Sequence, residues 1–432
     1  MIKNYNLHKY ILFILIFSNF FLGHGFQTYT FINIPVTYIF LFILLFNISL
    51  KDNFKHLKEL GILNIWFLYF FFNLFKMLIG FSEFGIAALR DATYILDSIF
   101  LIVFISFIKD ESDINNIDKI LKITFYFLFF FVFTWLYKDF FIPLSPKIVS
   151  PLGVTSNLFF NYSTFNIILC LFAFYSFIFL KKPSNKKIFF IVFSILAFIL
   201  APKRQIYLTY ISTLLFLIFI DKKNTRLMFN IFWLLVILQI FEYFNLFSFL
   251  KINDLSFSNF FKNHILSSFP GYQTDILYFQ GTQSTIDWRL ENWTSVINKV
   301  SSNYKTFLFG LSYGETLTTF INAEGIANRE PHNLWVTLYG RMGFLGFLMF
   351  FILHYKIIKI LFYSFKLSSN SKNLLFKNII IFTSIFNLYI FFGGGINAST
   401  LSTSYLSSQF YILNSLVISI YFYLKKKENL VN

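Results

Sequence analysis

A histidine in the C-terminal third of the chain stands among residues of unusual type. Pro331, His332 and Asn333 follow the longest polar stretch and open an apolar run that contains Gly343 and Gly346. His332 is therefore predicted at the mouth of a membrane span. There the positive end of a helix favours an anion, and a neutral imidazole can accept a proton. A hydrogen-bonded structural histidine is the alternative interpretation.

Helical geometry extends this pattern along the same span. Tyr339, Gly343 and Gly346 lie seven, eleven and fourteen residues after His332, within about 40° of its helix face. Small residues on that face let a neighbouring helix approach closely. Arg341 lies nine residues after His332 and on the opposite face. We expect Arg341 to reach a water-filled cavity or the bundle interior.

Arginine is distributed differently from lysine. Six of the 36 basic residues are arginine, and all but Arg226 lie outside or in the outer part of the membrane on the topology below: Arg90, Arg204, Arg289, Arg329 and Arg341. A guanidinium forms bidentate bonds to phosphate or carboxylate and stays charged when partly desolvated. The distribution favours an outward-facing anion site, most simply for a diphosphate. A chance distribution is the alternative.

Lys203 and Arg204 stand between two short apolar runs. Each run has ~15 residues, about 22 Å of helix, against ~30 Å of hydrocarbon in a bilayer. Spans that short hold their joining turn below the bilayer surface, at the depth of lipid phosphates. The pair is therefore a candidate phosphate site, and snorkelling interface residues are the alternative.

Arg289 heads a short amphipathic helix. The residues before it resemble a capped helix start. Four apolar residues then recur at helical spacing: Leu290, Trp293, Ile297 and Val300. We expect this helix to lie against the outer membrane surface or over the bundle. Arg289, one turn from Trp293 and on the same side, then projects over a cavity.

The composition requires a membrane environment. The chain has 432 residues, of which 57% are hydrophobic, more apolar surface than a soluble fold can bury. Cys170 is the only cysteine, so a disulfide within one chain is excluded. HExxH, Walker and paired-carboxylate motifs are missing from the sequence, and we expect no metal site.

Apolar runs predict an all-α polytopic membrane protein with about twelve transmembrane helices. Their approximate bounds are 10–26, 31–50, 60–81, 92–108, 120–141, 157–180, 188–201, 205–220, 227–244, 332–353, 378–396 and 407–424. Lysine clusters occupy alternate connections, which places both termini in the cytoplasm. Most of the net charge of +16 is thus a topology signal, and nucleic-acid binding is not expected.

The chain divides into three parts on this topology. Residues 1–244 hold transmembrane helices one to nine, and residues 245–331 form one large outer loop with short amphipathic helices. Residues 332–432 hold the last three helices and a cytoplasmic tail. A loop of that length is typically functional. The roles of Arg341 and of Gly393 to Gly395 stay open.

These motifs resemble the O-antigen ligase and O-antigen polymerase superfamily of bacterial inner membranes. The first motif is His332-Asn333, followed by Gly343 and Gly346. The others are Trp288-Arg289-Leu290-Glu291-Asn292-Trp293 and Phe309-Gly310-Leu311-Ser312-Tyr313-Gly314. Lys203-Arg204 matches the place where the family commonly carries an arginine after a serine or threonine, but here Pro202 and Lys203 precede the arginine. The resemblance covers roughly 190–400 in motif and the whole chain in topology.

The resemblance implies a multi-pass inner-membrane glycosyltransferase without metal or nucleotide. It would move a glycan from undecaprenyl diphosphate to an acceptor sugar hydroxyl at the periplasmic face, with inversion. The histidine then accepts or orients the hydroxyl proton, and the arginines clamp the diphosphate. The expected catalytic residues are His332, Arg289 and Arg204. The expected substrate contacts are Lys203, Arg90, Asn333 and Trp293.

Other interpretations stay open at this point. A ligase transfers the glycan to lipid A–core, whereas an O-antigen or exopolysaccharide polymerase uses the same donor and transfers it to another lipid-linked glycan. A transporter or flippase of lipid-linked glycans is the rival of a different class, since Lys76 and Asp97 lie within predicted spans. Polar residues gather beside one large loop, and this arrangement favours an enzyme.

Overall fold

The computed structural model describes residues 5–23, 25–26, 29–31, 34–134, 137–149, 155–158, 212, 215–216, 285–318, 331–369, 374–393 and 404–429. This part of the chain is mostly helical. The predicted spans 188–201 and 227–244 lie outside it. The predicted spans 157–180 and 205–220 also lie outside it, except for residues 157, 158, 212, 215 and 216.

The described helices are numbered here in chain order. They are α1 (Tyr5–Phe21), α2 (Val36–Asn47), α3 (Leu50–Glu59), α4 (Leu63–Phe84), α5 (Ile86–Asp91), α6 (Thr93–Asp97), α7 (Phe100–Val103), α8 (Glu111–Thr134), α9 (Lys138–Phe141), α10 (Thr285–Ser301), α11 (Tyr304–Phe309), α12 (Leu334–Ser369), α13 (Leu374–Leu388) and α14 (Ser404–Asn429). A 3₁₀ turn at Ile142–Leu144 follows α9, and a π turn at Tyr389–Gly393 follows α13. Two short antiparallel hairpins pair Thr30–Phe31 with Ile34–Pro35 and Lys147–Val149 with Thr155–Asn157.

Three of the described helices are long and apolar enough to cross a membrane: Leu63–Phe84, Leu334–Ser368 and Leu375–Phe392. They match the spans predicted at 60–81, 332–353 and 378–396. A fourth is added if α2 and α3, which meet at 93°, are one bent span. α2 begins only at Val36 because Pro35, which lacks an N–H, precedes it. The total of about twelve stays a prediction.

The span predicted at 92–108 is broken into the short helices α6 and α7. Backbone carbonyls in an apolar bundle need donors from within the protein. Side chains of neighbouring helices supply them here: Trp66 Nε1 donates to Ser98 O at 3.2 Å, Ser415 Oγ to Leu101 O at 2.8 Å, and Asn53 Nδ2 to Ile102 O at 2.8 Å. The break therefore depends on partners that are distant in sequence.

Helix α14 lies in the centre of the packing. It is buried from residue 406 to residue 420 and packs against α1, α6, α7, α12 and α13. Its buried side chains include several small or polar ones: Ser407, Ser408, Gln409, Asn414, Ser415 and Ser419. Such residues let helices approach closely and bind one another's backbone.

Helix α12 breaks at Gly343, whose φ of 63° and ψ of −169° suit only glycine. The break separates a head segment, residues 334–342, from the remainder of α12. The predicted alignment of Gly343 and Gly346 beneath His332 is therefore wrong, because it extended a regular helix across Gly343 and because the helix begins only at Leu334.

The close approach expected at these glycines is nevertheless present. A Cβ on Gly343 would lie 2.6 Å from the carbonyl oxygen of Leu308 and would also meet the backbone of Gly310. The backbone that approaches Gly343 is therefore the end of α11, and not a neighbouring helix packed along a face of small residues. A Cβ on Gly346 would lie 2.8 Å from a ring carbon of Phe72 on α4.

We predict that Gly343→Ala destabilises the protein more than Gly85→Ala. Both glycines have positive φ, 63° and 56°, and an alanine there is strained by about 1–3 kcal/mol. A Cβ at Gly85 meets nothing within 4 Å, whereas one at Gly343 collides with backbone. Thermal unfolding in detergent measures the difference, and equal losses of Tm would contradict the described contact.

Candidate functional site

A hydrogen bond between Trp293 and Pro331 joins two of the predicted motifs. Trp293 Nε1, on α10, donates to the Pro331 carbonyl at 2.7 Å. Arg289 lies one turn earlier on α10 and is half-buried, while His332 directly follows Pro331 and is exposed. The bond therefore joins the helix of Arg289 to the residue before the histidine, and the indole N–H of Trp293 is occupied within the protein.

His332 has a backbone conformation that few side chains adopt. Its φ of 51° is the only positive value of a non-glycine residue in the described part of the chain. Such strain persists only where the surroundings enforce it, and it is frequent at functional sites. Both neighbouring residues are bound within the protein: the Pro331 carbonyl accepts from Trp293, and the Asn333 side chain accepts from the N–H of Trp335.

Asn333 caps the head segment. Its Oδ1 accepts from the N–H groups of Trp335 at 2.9 Å and Val336 at 3.1 Å, and its side chain is buried. This is the arrangement of a helix N-cap. Asn333 was predicted as a substrate contact within the first turn; the structure places it before the helix as its cap. Trp335 Nε1 further ties the head segment to the π turn, donating to the Phe391 carbonyl at 3.0 Å.

The head segment packs against α10 through a small apolar cluster. Val296 and Val300 of α10 are buried with Leu311 and Leu317. A Cβ on Gly340 would lie 3.1 Å from Leu317 and 3.2 Å from Val296, so a larger residue would push α10 away. The packing fixes the helix of Arg289 against the segment that follows His332.

Arg341 lies at the other end of the head segment and is fully inside the bundle. Its Nη2 pairs with Asp91 Oδ2 at 2.7 Å, and both side chains are 1% exposed. Its Nη1 donates to the carbonyls of Ser312 at 2.8 Å and Glu315 at 2.6 Å. Of the two locations expected for Arg341, the bundle interior is the one observed. Its role is to bind α5 and the loop after α11.

Arg90 shares the same carboxylate. Its Nε and Nη2 donate to Asp91 Oδ1 at 3.1 Å and 2.8 Å, and its side chain is 40% exposed. Asp91 Oδ2 also accepts from the Gly314 N–H at 3.2 Å. One carboxylate thus faces two guanidinium groups, and the trio keeps one net positive charge.

The glycine-containing stretch after α11 enters the bundle. Tyr313 is buried; its hydroxyl donates to Asn73 Oδ1 at 2.9 Å and lies 2.9 Å from the Tyr94 hydroxyl. Gly310 and Gly314 have φ of 74° and 88°. These turns let the loop pass between α4 and α12 with its polar groups bound.

Several predicted residues fall outside the described part of the chain. These are Lys203, Arg204, Arg329, Gly394 and Gly395. The structure joins Trp293, one turn after Arg289, to Pro331, the residue before His332, and it joins Arg90 to Arg341 through Asp91. Among the described residues, no group of three or more His, Cys, Asp or Glu side chains could hold a metal ion.

Sequence reasoning missed Asp91 and Asn73. Asp91 follows Arg90 directly in a largely apolar region, and a carboxylate there indicates a buried partner. That partner, Arg341, is 250 residues away. Nothing in the sequence connects the two.

We predict that Arg341→Met destabilises the protein far more than Arg90→Met. Removing one partner of a buried ion pair costs about 3–5 kcal/mol because the other charge stays buried, whereas a partly exposed pair contributes about 0–1 kcal/mol. Denaturation in detergent measures both variants. The double variant Arg341→Met with Asp91→Leu should recover part of the loss, and a double variant less stable than Arg341→Met would contradict the pairing.

Comparison with protein families finds one match in this region. Residues 189–351 match the family described as O-antigen ligase, an interval that includes α10, α11 and the head segment of α12. Comparison with curated proteins finds no match. Members of the matched family are glycosyl-transferring enzymes of surface polysaccharide biosynthesis. The match confirms the similarity of residues 189–351 to the O-antigen ligase and polymerase superfamily.

Proposed function

We propose that this protein is a membrane glycosyltransferase of the O-antigen ligase type. It moves a glycan from undecaprenyl diphosphate to an acceptor sugar hydroxyl at the periplasmic face of the inner membrane. The observation that supports the proposal is the Trp293–Pro331 hydrogen bond, since it joins the helix of Arg289 to the residue before His332. Both of these residues and Arg204 fall within the matched interval.

The proposed reaction is a displacement at the anomeric carbon. The acceptor oxygen forms a bond to that carbon while the bond from the carbon to the diphosphate oxygen breaks, with inversion. His332 accepts the hydroxyl proton as general base, a role for which its exposed position is suitable. The lipid diphosphate is the leaving group, so no nucleotide is required.

Cationic side chains stabilise the departing diphosphate in this proposal. Arg289 and Arg204 bind its oxygens, and Lys203 and Arg90 assist. Arg90 suits this role because Asp91 holds its Nε and Nη2 while its side chain is still 40% exposed. These groups take the part that a metal ion has in other glycosyl transfers.

Two intramembrane side chains that suggested a transporter have partners within the protein. Lys76 donates to the carbonyls of Phe309, Leu311 and Arg341, and Asp97 accepts from the Ser407 hydroxyl. Ionisable residues on a substrate or ion path typically line a water-filled cavity or the substrate site. Because Lys76 and Asp97 are bound to groups of the protein itself, the enzyme is favoured over the flippase.

A polymerase uses the same donor, and its acceptor distinguishes it from a ligase. We expect a strain without this protein to lose all O-antigen from its lipopolysaccharide, with finished polymer stranded on undecaprenyl diphosphate. Gel electrophoresis of the lipopolysaccharide measures this. A core that carries a single repeat unit would instead identify a polymerase, and unchanged lipopolysaccharide with a lost exopolysaccharide would identify an exopolysaccharide polymerase.

We predict that His332→Asn lowers the transfer rate by about 100-fold or more without a loss of stability. Asparagine tolerates positive φ, so the backbone is kept while the general base is removed. We expect Arg289→Lys to lose about tenfold or more, because an ammonium does not replace a bidentate guanidinium. Initial rates with purified lipid-linked donor measure both, with Lys305→Ala on exposed α11 as the control. Full transfer by His332→Asn would contradict the assigned role.

A further inference from the structure

Lys76 lies where a lysine is costly. It is eight residues before the end of α4 at Phe84, about 12 Å along the axis of a helix that is apolar enough to span a membrane. Charged side chains at such depth are rare and have specific partners. The amine of Lys76 donates to three backbone carbonyls, those of Phe309, Leu311 (3.4 Å) and Arg341.

The three carbonyls come from places where regular hydrogen bonding ends. Phe309 is the last residue of α11, and Leu311 follows the turn at Gly310. Arg341 precedes the break of α12 at Gly343. Carbonyls at helix ends and breaks lack their usual N–H partners. An ammonium has three N–H donors, one for each of them.

Aromatic rings complete the surroundings of this amine. The Lys76 nitrogen lies 5.6 Å from the centroid of the Tyr313 ring and 6.0 Å from that of Phe72, within the range of cation–π attraction. The rings of Phe72 and Phe309 stack at 6.2 Å. Lys76 therefore holds α4, the end of α11 and the break of α12 at one junction.

The head segment of α12 connects this junction to the candidate site. The head segment begins after His332 and ends at the break, a length of nine residues or about 14 Å. The Arg341 carbonyl at its far end binds Lys76, and the Arg341 side chain is occupied by Asp91 and two carbonyls. A shift of this end moves the histidine end as well.

We propose that Lys76 is a positioning residue of the glycan transfer: its amine binds the break of α12 and the end of α11, and so fixes the head segment that follows His332. This inference rests on the proposed function. Misplacement of a reacting group by about 1 Å lowers a rate by up to about 100-fold. Lys76 acts through the backbone and makes no contact with the reacting atoms.

The test combines kinetics with a cross-link that does not depend on activity. Lys76→Met keeps the length of the side chain and removes its charge and donors. We expect kcat to fall by about tenfold or more. Lys359→Met is the matched control, since Lys359 also lies in a spanning helix with its amine 5.7 Å from a ring, that of Tyr363. Its kcat should be unchanged.

The cross-link reports whether the junction is closed. In a Cys170→Ser background, Phe72→Cys and Phe309→Cys place two thiols on side chains whose rings now stack, and a bifunctional thiol reagent of matching length should link them. Lys76→Met should reduce the yield of this cross-link. Full kcat and full cross-linking in the Lys76→Met protein would overturn the proposal, as would a normal kcat with the cross-link lost.

These experiments separate a variant that fails to fold from a failure of the proposed function. If Lys76→Met does not accumulate, the same measurements are made on Lys76→Arg. Arginine retains the positive charge and the N–H donors of lysine, so we expect this variant to be cross-linked and active. A Lys76→Arg protein that transfers fully without the cross-link overturns the proposal. If even the unsubstituted protein does not transfer glycan, the proposed function fails, and cross-linking still decides whether Lys76 holds the junction.

Discussion

Backbone carbonyls inside an apolar bundle must find donors within the protein, and this constraint applies at two interrupted regions of the described helices. Side chains supply the donors in both. Trp66 binds the Ser98 carbonyl between α6 and α7, and Ser415 and Asn53 bind the Leu101 and Ile102 carbonyls within α7. Arg341 and Lys76 do the same for the loop after α11 and for the break of α12. Two charged side chains of the described bundle, Arg341 and Lys76, therefore let non-helical backbone lie there.

The candidate site depends on that arrangement. The head segment of α12 is anchored at its far end by Arg341 and at its near end by the Asn333 cap and the Trp293 bond. His332 keeps its strained φ between these fixed points. A histidine whose two neighbouring residues are bound within the protein suits a reaction in which positioning and charge stabilisation supply most of the rate. The contacts that anchor the head segment thus position the exposed His332.

The sequence predicted the features that depend on local pattern. Apolar length identified α4, α12 and α13 as spans, and helical spacing identified α10. Motif and helix spacing also selected Arg289, Trp293 and His332, and the structure joins Trp293 to the residue before His332. The break at Gly343 escaped prediction because a lone glycine does not reveal its φ, and Asn333 was read as a helical residue although an asparagine before an apolar run is a usual cap. The pairing of Asp91 with Arg341 is set by packing across 250 residues, which no local pattern encodes.

The central claim is that Arg289 and His332 act on one transfer event. A double-mutant cycle with Arg289→Ala and His332→Asn tests it most directly, using transfer from purified lipid-linked donor in detergent, where flipping between leaflets has no meaning. Residues that act as a unit give strongly non-additive losses. We expect the double variant to be little slower than the slower single variant. Losses that multiply, or transfer that is absent in the unsubstituted protein, would contradict it.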